Sequence, residues 1–397
     1  MALLANRRTA LGSMLAVGAT AALPLNPARA ATTDAPRWQA AWGAALQPAG
    51  AAEPLPPGTR ISRRLRPTVA GTALRVELSN RYGLAPLTVA CRLRAGADEW
   101  PLTFGGLATM AVPRGGVLVS DPLALDLAAG QALEVIVELP LGGTRGYIEL
   151  MGGTGEAMLH RPGQAAEAVH PAILTTLEVM TTRLPGFAVL GDTKGARPGS
   201  WVDRLGELAQ GRFGVVNRSV FGGRLALGDE VSNALARLDH DVLATTGLSG
   251  VIVLCGNNDL IQPGMIGSRG APLLDPALML DRAGLCALLA QVSARARGAG
   301  LLAIAGTWLP YEGVTIAQGY STPEKMALRH EVNDWMRSSG TFDAVIDLDA
   351  ALRDPARPTR LDPAYDEGNH FTQNAAGSEL MAHTALAALL PLASHEN

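Results

Sequence analysis

A histidine with two acids and two asparagines around it stands near the carboxyl end of the chain, in the stretch AYDEGNHFTQNAAG at residues 364–377. Glu367 and His370 are separated by two residues, so the stretch contains an acid-x-x-His motif. A carboxylate that orients an imidazole is a common acid–base pair in hydrolytic catalysis. The stretch is therefore either the acid–base end of a hydrolase site or the remnant of one.

From Pro185 onward, predicted strands alternate with predicted helices, and these elements must position the stretch at residues 364–377. The apolar runs GFAVLGD, FGVVNRSV, GVIVLCG, LLAIAGT and FDAVIDLD alternate with helical stretches. Fully apolar strands in this alternation predict a parallel sheet that is covered by helices on both faces. Ligands of such sheets bind at the carboxyl ends of the strands. The polar loops 191–193, 217–223 and 256–259 each follow a strand, so they are the candidate site together with residues 364–377.

The first half of the chain has a different rhythm. Between Trp38 and Met180, short apolar runs alternate with Gly/Pro turns, and Leu74, Val76 and Leu78 show a period of two. This pattern predicts an antiparallel β-sandwich. We expect the sandwich to span residues 31–151, a connector to span 152–184 and the α/β domain to span 185–397.

The amino-terminal 30 residues have the features of an export signal. Arg7 and Arg8 precede an apolar run, and Ala28-Arg29-Ala30 matches an A-x-A cleavage site. These features predict a twin-arginine signal peptide over residues 1–30 and a periplasmic or secreted mature protein. A Sec signal or a retained anchor helix is the alternative. No later stretch has the about 20 uninterrupted apolar residues that a membrane span needs.

The composition is that of a globular protein without an obvious charged partner. Apolar residues make up 48% of the chain and charged residues 17%, and the formal net charge is −3. This balance does not favour nucleic acid or an anionic membrane surface as a partner. The three cysteines, Cys91, Cys255 and Cys286, are too few and too scattered for a disulfide framework or a zinc site. We expect no metal and no cofactor.

The loops resemble, in order and position, the sequence blocks of the SGNH or GDSL hydrolase family, which are G-D-S, a glycine block, G-x-N-D and D-x-x-H. The stretches SWVDRLGELA, RHEVNDWMRSSGTFDAVIDLDAALRDP and TRLDPAYDEGNH, with LSNRYGLAPLTVA in the first half, look like a secreted bacterial branch that carries an amino-terminal β-sandwich. The resemblance implies a three-layer α/β/α flavodoxin-like SGNH hydrolase domain with a five-stranded parallel sheet, preceded by the antiparallel β-sandwich.

The resemblance also implies acyl transfer from an ester. In the family, a serine attacks the ester carbonyl, a histidine removes the serine proton, an aspartate orients the histidine, and backbone N–H groups with an asparagine amide hold the oxyanion. By position, Gly222 corresponds to the glycine block and Asn258 to the asparagine. With Asp192, they form the expected oxyanion and ligand-binding group.

All three positions of the catalytic triad depart from the family pattern when the blocks are aligned without gaps. Thr193 stands at the nucleophile, Asn369 at the acid and Thr372 at the base. Asn369 carries no charge to stabilise an imidazolium, and Thr372 has no nitrogen that could accept a proton. The gapless register therefore predicts a degenerate triad.

A second register keeps the chemistry, and so two main hypotheses remain open. A two-residue insertion between His370 and Asn374 would make Glu367 and His370 the acid and the base, with Thr193 as nucleophile. The first hypothesis is an exported, catalytically impaired protein that binds a carbohydrate or an ester of the cell envelope. The second is an active carbohydrate or lipid esterase with an oxyanion hole at Gly222 and Asn258.

A third hypothesis is a structural partner that docks through its sandwich. Five aromatic residues of the sandwich are candidates for stacking on a glycan, with burial in the sandwich core as the alternative explanation: Trp38, Trp42, Tyr82, Trp100 and Phe104.

Overall fold

The computed structural model describes residues 35–148, 157–168, 173–197, 199–228, 233–267, 270–314 and 316–394. The predicted signal peptide lies outside this part of the chain. No helix among the described residues is long and apolar enough to cross a membrane.

The first half of the described chain forms antiparallel sheets, as predicted. One sheet has the order β1-β14-β4-β8 with β9 also paired to β4, a second has the order β13-β12-β3-β10-β5-β6 with β7 paired to β5, and β11 pairs with β2. The strands are β1 Arg37–Gly43, β2 Gln47–Leu55, β3 Thr59–Leu65, β4 Gly71–Ser79, β5 Leu87–Ala95, β6 Asp98–Leu102, β7 Thr109–Val112, β8 Val117–Val119, β9 Leu123–Leu127, β10 Leu133–Leu139, β11 Gly143–Ile148, β12 Ala157–His160, β13 Glu167–Ala168 and β14 Leu174–Thr181.

The period of two in the sequence corresponds to burial between the sheets. Leu74, Val76 and Leu78 of β4 are fully buried, whereas the residues between them are partly exposed. Trp42 and Phe104 also lie in the sandwich core. The alternation is therefore the signature of strands with one face in the core and one face toward solvent.

The segment that we expected to connect the two halves contributes strands to the sandwich sheets. Within residues 152–184, β12 pairs with β3, and β14 pairs with both β1 and β4. The sequence of β14, LTTLEVMT, carries six consecutive buried residues because the strand is central in its sheet. Its burial on both faces removes the alternation by which the earlier strands are recognised.

The second half forms the predicted three-layer α/β/α domain. Its sheet has five parallel strands in the order β16-β15-β17-β18-β19. The strands are β15 Gly186–Gly191, β16 Gly214–Asn217, β17 Gly250–Leu254, β18 Leu302–Gly306 and β19 Ala344–Ile346. Every residue of β15, β16 and β17 is buried, as expected for strands with helices on both faces.

The helices of this domain begin where the sequence provides capping side chains. Asp281 accepts the Gly284 N–H at 2.8 Å and starts α5, and Thr322, followed by Pro323, starts α6. The helices are α1 Thr193–Ala196, α2 Trp201–Ala209, α3 Ala234–Leu238, α4 Asn257–Ile261, α5 Arg282–Gly298, α6 Pro323–Ser338, α7 Leu348–Leu352 and α8 Ala375–Ser394, with a π-helical turn at Asp239–Leu243 and a 3-10 turn at Pro276–Leu278.

A buried arginine joins the sandwich to the α/β domain. Arg218, just after β16, is only 3% exposed. Its guanidinium donates hydrogen bonds to the carbonyl oxygens of Ala44 at 2.8 Å and Thr175 at 2.7 Å on the sandwich side. It also donates to the carbonyl oxygen of Asp241 at 2.9 Å in the π-helical turn. One side chain therefore satisfies buried acceptors from both halves of the protein.

Candidate active site

Three of the residues that the sequence nominated meet at the carboxyl ends of β15, β16 and β17. The hydroxyl oxygen of Thr193 accepts a hydrogen bond from the Gly222 N–H at 2.9 Å. The side-chain amide of Asn258 donates to the carbonyl oxygen of Gly223 at 2.9 Å. The nucleophile position and both expected oxyanion donors therefore share one small region of the sheet edge.

Glycine is required at two backbone positions in these loops. Gly222 has φ +66° and Gly256, which precedes α4, has φ +108°, both in the region that L side chains rarely adopt. A Cβ at Gly256 would also lie 2.7 Å from the Trp308 ring. These glycines turn the chain so that the Gly222 N–H points toward Thr193 and Asn258 enters the first turn of α4.

Asp192 is the cap of the helical turn that carries Thr193. Its carboxylate accepts the Lys194 N–H at 3.0 Å and lies 3.5 Å from the Lys194 Nζ. The Lys194 ammonium also lies 4.3 Å from the centre of the Phe371 ring. Asp192 and Lys194 are 2% and 4% exposed, so both charges are held inside the protein with each other as partners.

An aromatic cluster lies over this buried pair. The Phe371 ring meets Tyr320 edge to face with 5.0 Å between centroids, and Tyr320 meets Tyr311 in the same way at 5.8 Å. Burial raises the pKa of the Tyr320 hydroxyl, and the nearby negative charge of Asp192 raises it further. The sequence analysis missed Lys194, Phe371 and Tyr320. A charged residue directly after the nucleophile position was the available signal.

Asn369 and Thr372, the gapless acid and base positions, are paired with each other. The Asn369 amide donates to the Thr372 hydroxyl at 3.1 Å, and its carbonyl oxygen accepts the N–H groups of Phe371 at 2.8 Å and Thr372 at 2.7 Å. This is the local turn that asparagine commonly stabilises. No hydrogen bond joins either side chain to Thr193 within the described ranges.

The carboxylate that contacts His370 is Asp366, which corrects the hypothesis that Glu367 orients the imidazole. The Nδ1 atom of His370 lies 2.6 Å from the Asp366 Oδ2, and the His370 N–H donates to Asp366 Oδ1 at 3.0 Å. Glu367 instead forms a surface ion pair with Arg197 at 3.2 Å. His370 has φ +60°, and this left-handed turn folds the imidazole back onto the residue four positions earlier.

Asp259 fixes the relative position of the Gly222 and Asn258 loops. It is fully buried at α4, and its carboxylate accepts the N–H groups of Leu225, Ala226 and Leu227. Burial raises the pKa of Asp259, although these three N–H groups act in the opposite direction. The acid of the asparagine block therefore has a structural role that the sequence analysis did not assign.

No group of three or more His, Cys, Asp or Glu side chains in the described part of the chain is placed to hold a metal ion. The three cysteines are free thiols and are buried. Burial raises the pKa of Cys91 to about 12, so this thiol has little thiolate character near neutral pH.

The α/β domain is similar in sequence and structure to known proteins. A sequence profile of the GDSL-like Lipase/Acylhydrolase family matches residues 188–380. The chain is similar to the solved structure of a G-D-S-L family protein from Desulfitobacterium hafniense, at 18% identity and a TM-score of 0.38, over 51% of this chain and 98% of that one.

Two further solved structures show the same level of similarity. A GDSL-like lipase from Bacteroides thetaiotaomicron is 13% identical, with a TM-score of 0.37, over 53% of this chain and 89% of that one. The esterase EstA from Pseudoalteromonas sp. is 15% identical, with a TM-score of 0.35, over 53% of this chain and 99% of that one. No curated protein matches the chain.

Proposed function

Because the chain belongs, through residues 188–380, to the GDSL-like lipase/acylhydrolase family, we propose that it is an exported, non-hydrolytic member that binds a carbohydrate or an ester of the cell envelope. One observation carries the proposal. The Thr193 hydroxyl is hydrogen-bonded to Gly222, while the acid and base positions, Asn369 and Thr372, are bonded to each other.

Ester hydrolysis needs a base that can take the nucleophile's proton. In the described part of the chain, no imidazole and no carboxylate lies within hydrogen-bonding distance of the Thr193 hydroxyl. Threonine and asparagine side chains cannot serve as the base and its charged partner near neutral pH. Losing the triad leaves only the roughly 10³- to 10⁴-fold acceleration over water that oxyanion donors and binding can supply.

The oxyanion donors are also engaged within the chain. The Gly222 N–H bonds to the Thr193 hydroxyl, and the Asn258 amide bonds to the Gly223 carbonyl. Thr193 is 6% exposed and Asn258 is 5% exposed. An ester carbonyl would have to displace these contacts and pass buried side chains, which supports a site that no longer turns over substrate.

A second candidate function is an active esterase that uses Thr193 with His370 as the base. One observation favours it: His370 keeps a partly exposed imidazole whose Nδ1 lies 2.6 Å from the buried Asp366 carboxylate. A buried acid that fixes the tautomer of an imidazole is what a general base requires. In this form of the hypothesis, Asp366 takes the role that the sequence had given to Glu367.

Export is proposed from the sequence alone. The Arg7-Arg8 pair and the A-x-A site support a twin-arginine signal and therefore a periplasmic or secreted protein. Replacing both arginines by lysine should leave the protein in the cytoplasm of an expressing bacterium, as judged by cell fractionation. Export that survives this change but requires the Sec translocon would favour an ordinary Sec signal.

Turnover of aryl acetate and butyrate by the purified chain tests the hydrolytic step. We expect the parent, Thr193→Ala and His370→Ala to share one low rate. The triple variant Thr193→Ser, Asn369→Asp, Thr372→His restores the three missing groups and should exceed that rate. Activity in the parent that disappears in Thr193→Ala, His370→Ala and Asp366→Asn, but survives in Glu367→Gln, would instead establish the active esterase.

A further inference from the structure

A cleft of about 900 Å³ lies between the sandwich and α2. Thr193, Gly222 and Asn258 do not line it, and Asn217 is the one residue of the candidate loops that does. On the sandwich side it is bounded by residues 64–68 at the end of β3 and just after it, by Arg94 and Gly96, and by residues 129–130 and 132–134 at the start of β10. On the other side it is bounded by the Val202–Gln210 face of α2. Small-molecule sites commonly have about 300–1,000 Å³, so the cleft has the size of a ligand site.

The charges that line the cleft cancel. Three arginines (Arg64, Arg66, Arg94) and three carboxylates (Glu134, Asp203, Glu207) line it, so the formal sum is 3 − 3 = 0. Arg94 and Glu134 are already joined by an ion pair at 2.9 Å across the cleft wall. Because neither sign of charge is in excess, the lining as a whole favours neither an anion nor a cation, and a neutral ligand suits it best.

The charged side chains of the lining suit a ligand with many hydroxyls, although several already bond within the chain, as Arg66 does to the Gly130 carbonyl and Glu207 to Arg204. Guanidinium and carboxylate groups are planar and can bond two neighbouring hydroxyls at once. Trp42, Leu65 and Leu133 form the apolar floor of the cleft, where they are 2–5% exposed. Sugar rings present both hydroxyl edges and C–H faces, so a neutral oligosaccharide matches both kinds of surface.

Gln210 is an independent indication of function at this cleft. It ends α2 with φ +49°, and it is one of two residues other than glycine with positive φ among the described residues. Glycine normally occupies such a helix end because a side chain there is strained. Gln210 is exposed, lines the cleft, and its side-chain amide forms no hydrogen bond in the described part of the chain. A strained residue whose polar end is left unused indicates a functional requirement.

We propose that this cleft binds a neutral oligosaccharide, with the Gln210 amide and the exposed arginines on its rim contacting the sugar hydroxyls. The proposal rests on the proposed function as an envelope-ligand binder, and it places the ligand between the sandwich and α2. The expected pocket at Gly222 and Asn258 is then not the ligand site.

Calorimetric titration of the purified chain with xylohexaose, cellohexaose and chitohexaose tests the proposal. Gln210→Gly removes the amide and keeps the left-handed helix end, so it should weaken binding about tenfold while thermal stability is kept or raised. Ala132→Trp places a large side chain in the cleft and should abolish binding. Gln164→Gly and Ala108→Trp change exposed residues elsewhere in the sandwich and serve as matched controls.

Binding of at least one neutral hexasaccharide that both cleft variants weaken, and both controls preserve, supports the proposal. It is overturned if none of the three sugars binds, if the cleft variants bind as the parent does, or if polygalacturonate binds in preference to them. Ester turnover by the parent would overturn the non-hydrolytic function while leaving these binding results intact, so the two proposals fail separately.

Discussion

The candidate active site and the cleft beside α2 use their polar groups in opposite ways. At the site, Thr193 and Asn258 are buried, and their side chains are bonded to other groups of the chain. At the cleft, Arg66 and Gln210 are exposed. Arg66 uses one guanidinium N–H for the Gly130 carbonyl at 2.7 Å and keeps the others at the surface, and the Gln210 amide forms no hydrogen bond among the described residues. Polar groups that satisfy each other have little to offer a ligand, whereas solvated ones can exchange water for a ligand at small cost.

The difference between the two regions shows that a fold can be present without polar groups that are available to a ligand. The GDSL-like domain has the sheet, the glycine turn and the asparagine loop, and the polar side chains at its carboxyl edge are hydrogen-bonded within the chain. The shape of the cleft depends on how the sandwich packs against α2. It therefore depends on the contacts between the two halves around Arg218, which we call the joint. Function in such a protein follows the site and not the fold. Three variants test this comparison. Arg218→Met acts on the buried contact between the two halves, Phe371→Ala acts on the buried site around Lys194, and His240→Gln acts on the Tyr82–His240 contact between the halves.

Arg218→Met should have the largest effect, because it removes the side chain that joins the two halves. The substitution keeps much of the volume but removes the guanidinium from the buried carbonyl oxygens of Ala44, Thr175 and Asp241. Thr175 still accepts the Ala44 N–H and Asp241 still accepts the Thr245 hydroxyl, so the Ala44 carbonyl is the one that loses its donor. Hydrogen bonds from a charged group contribute about 1.5–3 kcal/mol each, and several are lost together with the donor of the Ala44 carbonyl, so we expect a loss of about 3 kcal/mol or more in the free energy of unfolding. Urea unfolding of the parent and the variant measures it.

Arg212→Met is the matched control for this change. Arg212 is exposed and bonds only to carbonyl oxygens of its own neighbourhood, Ala209 and Leu208. We expect its effect to stay within about 0.5 kcal/mol. Equal destabilisation by the two substitutions would mean that the buried arginine does not hold the halves together.

Phe371→Ala should open the closed site. The chain contains two lysines, Lys194 and Lys325, and each is 4% exposed. Phe371 covers the Lys194 ammonium, so its removal should raise the rate of Lys194 acetylation by an amine-reactive ester about tenfold, as followed by mass spectrometry.

Lys325 is the internal control for this labelling experiment. Its ammonium is held by backbone carbonyl oxygens and not by the Phe371 ring: it donates to Ile261 at 2.6 Å, Pro263 at 2.8 Å and Gly319 at 2.7 Å. Its acetylation rate should stay low. A rise at both lysines would indicate general loosening of the domain, and no rise at Lys194 would show that other residues close the site.

Much of the fold could be predicted because hydrophobic periodicity reports burial directly. The fully apolar strands predicted the parallel sheet, and the alternation in β4 predicted the sandwich. The loops containing Thr193, Gly222 and Asn258 could be placed together because parallel strands end at one edge of a sheet. These inferences use only the chain's local pattern and a rule of topology.

Contacts made by turns and by packed halves could not be predicted in the same way. Asp366, and not Glu367, contacts His370 because the left-handed backbone conformation of His370 turns its imidazole toward Asp366. The residue types in this stretch do not predict that conformation. The left-handed backbone conformation of Gln210 could not be predicted for the same reason. The cleft has no sequence motif, because its two walls come from elements more than 60 residues apart that meet only after folding.

The smallest expected effect concerns the titration of His240, which contacts the sandwich from the π-helical turn. Its Nε2 lies 3.2 Å from the Tyr82 hydroxyl and 3.4 Å from the Asp241 carboxylate. Burial lowers the pKa of His240, the Asp241 charge opposes this, and three arginines that face it (Arg81, Arg237, Arg218) add to the lowering. The neutral imidazole is therefore the form that the folded joint favours.

A histidine whose pKa is lowered in the folded state contributes stability above its unfolded pKa of about 6.5, and that contribution is lost as the pH falls through the lower folded value. Acidification from pH 7.5 to 5 should therefore lower the Tm of the parent more than that of His240→Gln, by about 2 °C. If His240→Gln and the parent lose the same Tm on acidification, the Tyr82–His240 contact does not make the joint sensitive to pH, and the joint's strength rests on Arg218.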